Sequence, residues 1–334
     1  MIHFHLVSAA WSSTDANCSF EAISYAWGDA ADKVQCICDG KYLSIPRNLY
    51  LGLQTFRQTT RPRRLWADAV CINQRDKSEL GHQVDNMGKI YASASRTLIW
   101  LGTDPNGYGE TAMNTINCLG ERLCYNLGLT LSSLGMVQSF SSFSGKMKTN
   151  PIGTSSITAN QWHAMKWFFS REWFCRLWVI RELNLSATAL SYCGNGCADA
   201  HLISLVARQL AQIETAHKLL DGESYVYNAM RMRSRVFSEL SSILLPLHYA
   251  RSYKTTDARD RVYAMLSIPS FAHAWAPAKA DYTMTSSQVF KAVVETSIRS
   301  SKNLLCLSFV QHSGQKVPNQ YDTTGQPFPA LEPA

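Results

Sequence analysis

The sequence predicts an α/β fold, with a largely parallel sheet flanked by helices and a mainly helical C-terminal extension. Two observations predict it. Between residues 23 and 101, short apolar runs alternate with stretches of helical periodicity. From about Ala198 onward the helical period takes over.

The elements follow in order. Ile23–Gly28 reads as a buried strand ending in a glycine turn. Val34–Cys38 and Tyr42–Ile45 flank Asp39-Gly40, a hairpin signal. Pro46 opens a helix with Leu49, Leu53 and Phe56 on one face. Leu65–Val70 reads as a second buried strand, and Lys77–Ala92 as a helix carrying Leu80, Val84, Met87 and Tyr91. Thr97–Leu101 is a third strand, stopped by Gly102 and Asp104-Pro105. A helix over Glu110–Leu127 leads into a Ser/Gly-rich insertion near 132–156. Gln161–Phe169, the aromatic helix Trp173–Leu185 and the strand Ala187–Cys193 complete this half. Helices are expected over His201–Leu220, Tyr225–Leu244, Asp260–Leu266 and Ser286–Ser300, with a poorly ordered tail over 311–334.

Composition narrows the function. Hydrophobic residues make up 46% of the 334 and charged residues only 17%, with 9 Trp, which excludes a disordered, collagenous or coiled-coil chain. The net charge of +7 comes in short groups rather than a basic arm, so nucleic acid is not an expected partner. No apolar run approaches the roughly 18 residues that span a bilayer. The N-terminal stretch MIHFHLVSAAW lacks a basic segment, and Cys71, Cys175 and Cys306 sit in apolar surroundings. A reduced, cytoplasmic protein is expected.

Three blocks carry a family resemblance: Ser24-Tyr25-Ala26-Trp27-Gly28-Asp29; Leu65 through Gln74, continuing to Gln83, Met87, Ile90, Tyr91 and Leu98–Gly102; and Arg171 through Glu182. In this order and spacing they resemble the fungal heterokaryon-incompatibility (HET) domain. Weaker likeness continues through Asp260–Ala264 and Asp281-Tyr282. Ala67 and Arg181 stand where the family pattern has Ile and Gln. HET domains are in turn similar to TIR domains, which have a flavodoxin-like fold and of which some cleave NAD. The resemblance therefore implies a TIR-like domain over 18–195, a helical extension over 196–310, and a cell-death effector acting when unlike fungal cells fuse. It implies NAD or a related dinucleotide as substrate with no resident cofactor, self-association into an active homo-oligomer, and a trigger on another protein. A non-catalytic death-signalling module acting through self-association is the alternative from a different class.

Glu182 is the candidate catalytic residue. Nicotinamide leaves NAD as a neutral ring, so the group that matters is a fixed carboxylate beside the positive charge spreading over the ribose. Its structural alternative is an ion pair with Arg176 or Arg181. Tyr25, Trp27, Gly28 and Asp29 follow the first strand, where ligands of open α/β sheets bind; a tight turn with a core tryptophan is the plain alternative. Asp68 lines the pocket or supports the adjacent loop by hydrogen bonds. Asn73 binds ribose or caps the following helix, and Trp178 lies one turn before Glu182. Arg171, Arg176 and Arg181 either attract a pyrophosphate or form a solvated face. Cys193, Cys197 and His201 have a zinc-like spacing without an evident fourth ligand, so no metal is expected. No P-loop and no Gly-x-Gly-x-x-Gly motif occurs.

Overall fold

The computed structural model describes residues 2–7, 19–137, 146–147, 156–220, 225–232, 244–266, 268, 271, 279–302, 304 and 306. In chain order, β1 (His3–Phe4) precedes β2 (Glu21–Tyr25) and the hairpin β3 (Lys33–Cys38) and β4 (Lys41–Pro46). Then come α1 (Arg47–Phe56), β5 (Leu65–Trp66), α2 (Asp68–Cys71), α3 (Lys77–Ser93) and β6 (Arg96–Trp100). The hairpin forms as its sequence predicts, with Asp39 and Gly40 both at positive φ in the turn. β1 adds to it in parallel.

The second half runs α4 (Tyr108–Leu127), a 3₁₀ turn (Leu131–Met136), α5 (Ala159–Phe169), a 3₁₀ turn (Glu172–Cys175), α6 (Val179–Leu185), β7 (Ala189–Cys193) and β8 (Gly196–Asp199). After these come α7 (Ala200–Leu210), α8 (Glu214–Leu220), α9 (Val226–Arg231), α10 (Leu244–Ala250), α11 (Asp260–Tyr263) and α12 (Ser286–Ser301). Most of the 132–156 insertion and all of the 311–334 tail lie outside the described residues.

The main sheet has the order β5-β2-β6-β7-β8. β2 pairs in parallel with β5 and β6, β6 in parallel with β7, and β8 closes the edge antiparallel. Counted among themselves these strands run 2-1-3-4-5, the flavodoxin-like doubly wound order. Period-two alternation sends β2 and β6 side chains to opposite faces. Ile23, Tyr25, Leu98 and Trp100 pack with Leu49 and Phe56 of α1 and with Cys36 and Ile45 of the hairpin. Ala22 and Ile99 face the other way, toward Val84, Met87 and Tyr91 of α3 and the helices that follow β6. That second core continues without a break through α7, α9 and α11 to Cys306.

Three elements differ from the sequence expectation. The strand expected over Leu65–Val70 stops at Trp66, because Asp68 turns the chain into α2 and accepts the Ala69 amide on its own carboxylate at 2.8 Å. The helix expected over Trp173–Leu185 is split. Arg176 is extended and bridges in parallel with Lys254, whose amide donates to the Cys175 carbonyl at 2.5 Å and whose carbonyl accepts from Leu177 at 3.0 Å. A long-range strand-like contact thus overrides helical propensity. The expected His201–Leu220 helix is two helices, α7 and α8, broken at Ala211.

Candidate functional site

In a doubly wound sheet the connections diverge at the switch point, leaving a crevice beyond the carboxyl ends of the strands. Here β2 is that point. The chain leaves it through the hairpin and α1 to reach β5 on one side, then returns through α3 to β6 on the other. Asn48 of α1 fixes the exit, donating to the Ala26 carbonyl at 2.7 Å and accepting from Trp100 Nε1 at 3.0 Å.

Glu182 lies in the first turn of α6, packed against this end of β2 on the α3 face. Its side chain is 3% exposed and makes no ion pair among the described residues, so the anticipated guanidinium lock is not formed. The Ser24 hydroxyl donates to Glu182 Oε2, and Trp173 Nε1 donates to the Ser24 oxygen at 2.6 Å. Oε1 accepts no hydrogen bond from any described residue. Burial pushes the Glu182 carboxyl up to about 7, against the opposing pull of Arg176 and the Ser24 hydrogen bond; Asp68 adds to the rise. Tyr91, whose hydroxyl donates to the Ile23 carbonyl at 3.2 Å, is held protonated by burial and by the nearby Glu182 and Asp68 charges.

On the other side of the β2 end, Asp68 gathers the exit loop. Tyr25 donates its hydroxyl to Oδ1 at 2.8 Å and Trp27 its indole N–H to Oδ2 at 2.9 Å. Burial, then Asp68, keeps Tyr25 protonated. Trp27 stays 37% exposed, and Gly28 follows at φ +71°, a conformation that any side chain would strain. Asp29 is exposed and turns the chain toward the hairpin by accepting from the Ala31 amide at 2.9 Å.

Two other anticipated residues face elsewhere. Asn73 is exposed in the loop after α2, where its side chain accepts from the Arg75 amide at 3.2 Å. The cap of α3 is Asp76, which accepts from the Ser78 and Glu79 amides, so Asn73 is not the cap. Trp178 is the residue preceding α6, and its indole donates to Asp260 Oδ2 at 3.2 Å rather than turning toward β2. Ser24, Tyr25, Trp27, Asp68 and Glu182 therefore meet at one strand end, with Gly28 beside them.

Arg176 is a residue that the motif reading underweighted. It is half-buried, and its charge acts on Glu182, Tyr25 and Tyr91, yet among the described residues its side chain makes no hydrogen bond or ion pair. Arg181 is fully buried against α3, donating to the Asp85 carbonyl at 3.2 Å, and burial pulls its guanidinium down to about 10. Arg171 lies over the Trp167 ring at 3.9 Å. Ser24 and Trp173 were also missed as site residues. Their available signal was a hydroxyl inside a buried strand and an indole N–H inside an apolar run, each of which needs a partner.

The C-terminal helices brace this site. Asp260 of α11 accepts from Trp178, from the Tyr282 hydroxyl at 2.7 Å and from Thr255 at 3.2 Å. Asn228 of α9 donates to the Phe174 carbonyl at 3.1 Å, and Asn184 of α6 donates to the Met232 carbonyl at 2.6 Å. Among the described residues no three His, Cys, Asp or Glu side chains gather as metal ligands would, and no helix is long and apolar enough to cross a membrane.

Comparison with known proteins matches the same segment. Residues 20–182 match the family model described as Heterokaryon incompatibility protein (HET). A relative, Heterokaryon incompatibility protein 6, OR allele, of Neurospora crassa, is 27% identical over 207 residues, covering 56% of this chain and 30% of the relative. The chain thus aligns with less than a third of that relative's length. No solved structure matches it. The segment that builds β2, β6, the Asp68 loop and the Glu182 turn is the segment that matches the HET family model.

Proposed function

We propose that this chain acts in heterokaryon incompatibility as a cell-death effector, and that its HET domain cleaves NAD to nicotinamide and ADP-ribose in a TIR-like manner. The observation that carries the reading is the Glu182 carboxylate: it lies at the end of the switch-point strand, with one oxygen held by Ser24 and the other without a donor among the described residues. In the proposed reaction the bond between ribose C1′ and the nicotinamide nitrogen breaks, and its electron pair leaves with the ring, which becomes neutral. Ionised Glu182 offsets the charge left on the ribosyl unit. Water then adds at C1′ and loses a proton to solvent. Arg176, without a hydrogen bond or ion pair to its side chain among the described residues, supplies positive charge for the pyrophosphate, and Trp27 an exposed aromatic face. In this reading the protein works in the cytoplasm, self-association completes the site, and a second protein triggers it.

The burial of Glu182 favours a second reading, in which the carboxylate is a structural anchor and the domain signals death through contacts alone. Incubating the purified chain with NAD under crowding conditions separates them. Nicotinamide release that falls at least a hundredfold in Glu182→Gln supports the enzyme. No release from the parent, or equal release from the variant, leaves the contact module.

A further inference from the structure

α6 has seven residues and no side-chain cap, and Glu182 sits in its first turn. A helix this short does not define its own start, so contacts from outside must do it. Those contacts converge on Trp178. The Trp178 carbonyl accepts the amides of Arg181 at 3.0 Å and Glu182 at 3.2 Å, which sets the turn that carries the carboxylate. Leu177, just before it, donates to the Lys254 carbonyl at 3.0 Å, and the Trp178 indole donates to Asp260 Oδ2 at 3.2 Å.

Asp260 is only 9% exposed and pairs with no cation among the described residues. A buried carboxylate without a counter-ion is costly, and well-packed apolar side chains in such a place are often at least as stable. What the carboxylate supplies is several acceptor sites at one point. Oδ2 takes Trp178 and Thr255, and Oδ1 takes the Tyr282 hydroxyl. The loop after α10 and the segment before α12 thereby close on the start of α6. At the far end of that turn Ser24 holds Glu182, and Trp173 holds Ser24. Asp260 lies outside the matched segment 20–182. Trp178, expected as a ligand contact, faces this carboxylate instead.

We propose that Asp260 and Trp178 are positioning residues for the candidate site: Asp260 fixes the indole, and Trp178 fixes the turn that sets Glu182 against Ser24. The proposal rests on the reading of Glu182 as the acting group, but its first test needs no turnover. The indole N–H resonances of the full chain are followed by NMR, that of Trp173 being assigned by its loss in Trp173→Phe. Trp173 donates to Ser24 and to neither Asp260 nor Trp178, so its resonance reports the far end of the chain of contacts. In Trp178→Phe, which keeps an aromatic ring and loses the donor, the Trp173 resonance is expected to move upfield as the Ser24 contact loosens. The kcat for nicotinamide release is expected to fall roughly tenfold or more with KM unchanged. Asp260→Ala is expected to do the same. A Trp173 resonance at its parental position in Trp178→Phe overturns the proposal, and so does an unchanged kcat where the parent is active. Asp260→Ala supplies the same comparison if Trp178→Phe fails to fold. A parent that releases no nicotinamide overturns NAD cleavage instead, and the Trp173 resonance then decides the positioning role by itself.

Discussion

Ser24 donates its hydroxyl to Glu182 across a sequence separation of 158 residues, and this contact ties the first strand of the main sheet to the helix that carries the carboxylate. One hydrogen bond does not offset the burial of a charge, which is why the carboxyl stays raised, at about 7. The folded chain then holds a proton more tightly than the unfolded chain, whose glutamate releases it near 4.5. Glu182 therefore contributes stability fully present below pH 4.5 and lost as pH rises through 7, about 3 kcal/mol in all. Urea unfolding followed from pH 5 to pH 8 should show this decline in the parent and a flatter profile in Glu182→Gln.

The same ionisation predicts how catalysis responds to pH. A carboxylate that stabilises a ribosyl cation works only when charged, so NAD cleavage by the proposed mechanism should rise about tenfold per pH unit below about 7 and level off above it. A rate that falls as pH rises through 7 would instead assign Glu182 the role of a proton donor. Initial rates of nicotinamide release between pH 5.5 and 8.5 distinguish the two.

Ser24→Ala removes the donor to Glu182 and the acceptor of Trp173 Nε1 in one step. A buried indole N–H left unpaired costs roughly 1–3 kcal/mol. Losing the Ser24 hydrogen bond also raises the Glu182 carboxyl further, since that bond favours the charged form. The expected outcome is a destabilised protein whose carboxyl titrates at higher pH, read by difference infrared spectroscopy of the protonated carboxyl band.

Much of the architecture was legible because it depends on local pattern. The Asp39-Gly40 turn, the Leu49 and Phe56 face of α1 and the period of α3 each follow from nearest neighbours along the chain. The candidate site was legible in part: the motif blocks pointed to Tyr25, Trp27, Asp68 and Glu182. The Ser24–Trp173 contact was hidden because it forms across 149 residues and leaves no periodic trace. The break before α6 was hidden for the same reason, since its cause is Lys254, a distant partner in a loop. Asp260 stood in a weaker motif, and nothing in that motif says it receives Trp178.

Glu21 predicts a pH response of opposite sign. It is 8% exposed at the start of β2 and accepts from both Arg63 and Arg96, which draws the β5 and β6 sides of the sheet together. Burial raises its carboxyl, but the Arg63 and Arg96 hydrogen bonds outweigh it and hold the group below its usual value. Its stabilisation is present above the unfolded pKa and is lost as pH falls through the folded one. Because Arg96 is partly solvated, Glu21→Gln should cost about 2 kcal/mol at pH 6, and less as pH is lowered toward 3. Denaturant midpoints of parent and variant at the two pH values check both parts.

Gly120 lies in the interior of α4, where exchange for alanine ordinarily stabilises a helix by about 0.5–1 kcal/mol. Here the opposite is expected. An alanine Cβ at this position would stand 2.5 Å from both Cγ and Cδ1 of Leu202 and 2.7 Å from its Cδ2, so the branch point of a buried side chain, not just a flexible tip, blocks it. Leu202 is 2% exposed in α7, which leaves it little room to withdraw, and α4 and α7 would have to part. Overpacking of this kind costs about 1–3 kcal/mol, more than the helix gains. Gly120→Ala should therefore lower the thermal midpoint. Pairing it with Leu202→Ala should recover part of the loss, because the second change removes the obstructing atoms; two losses that simply add would place the strain elsewhere.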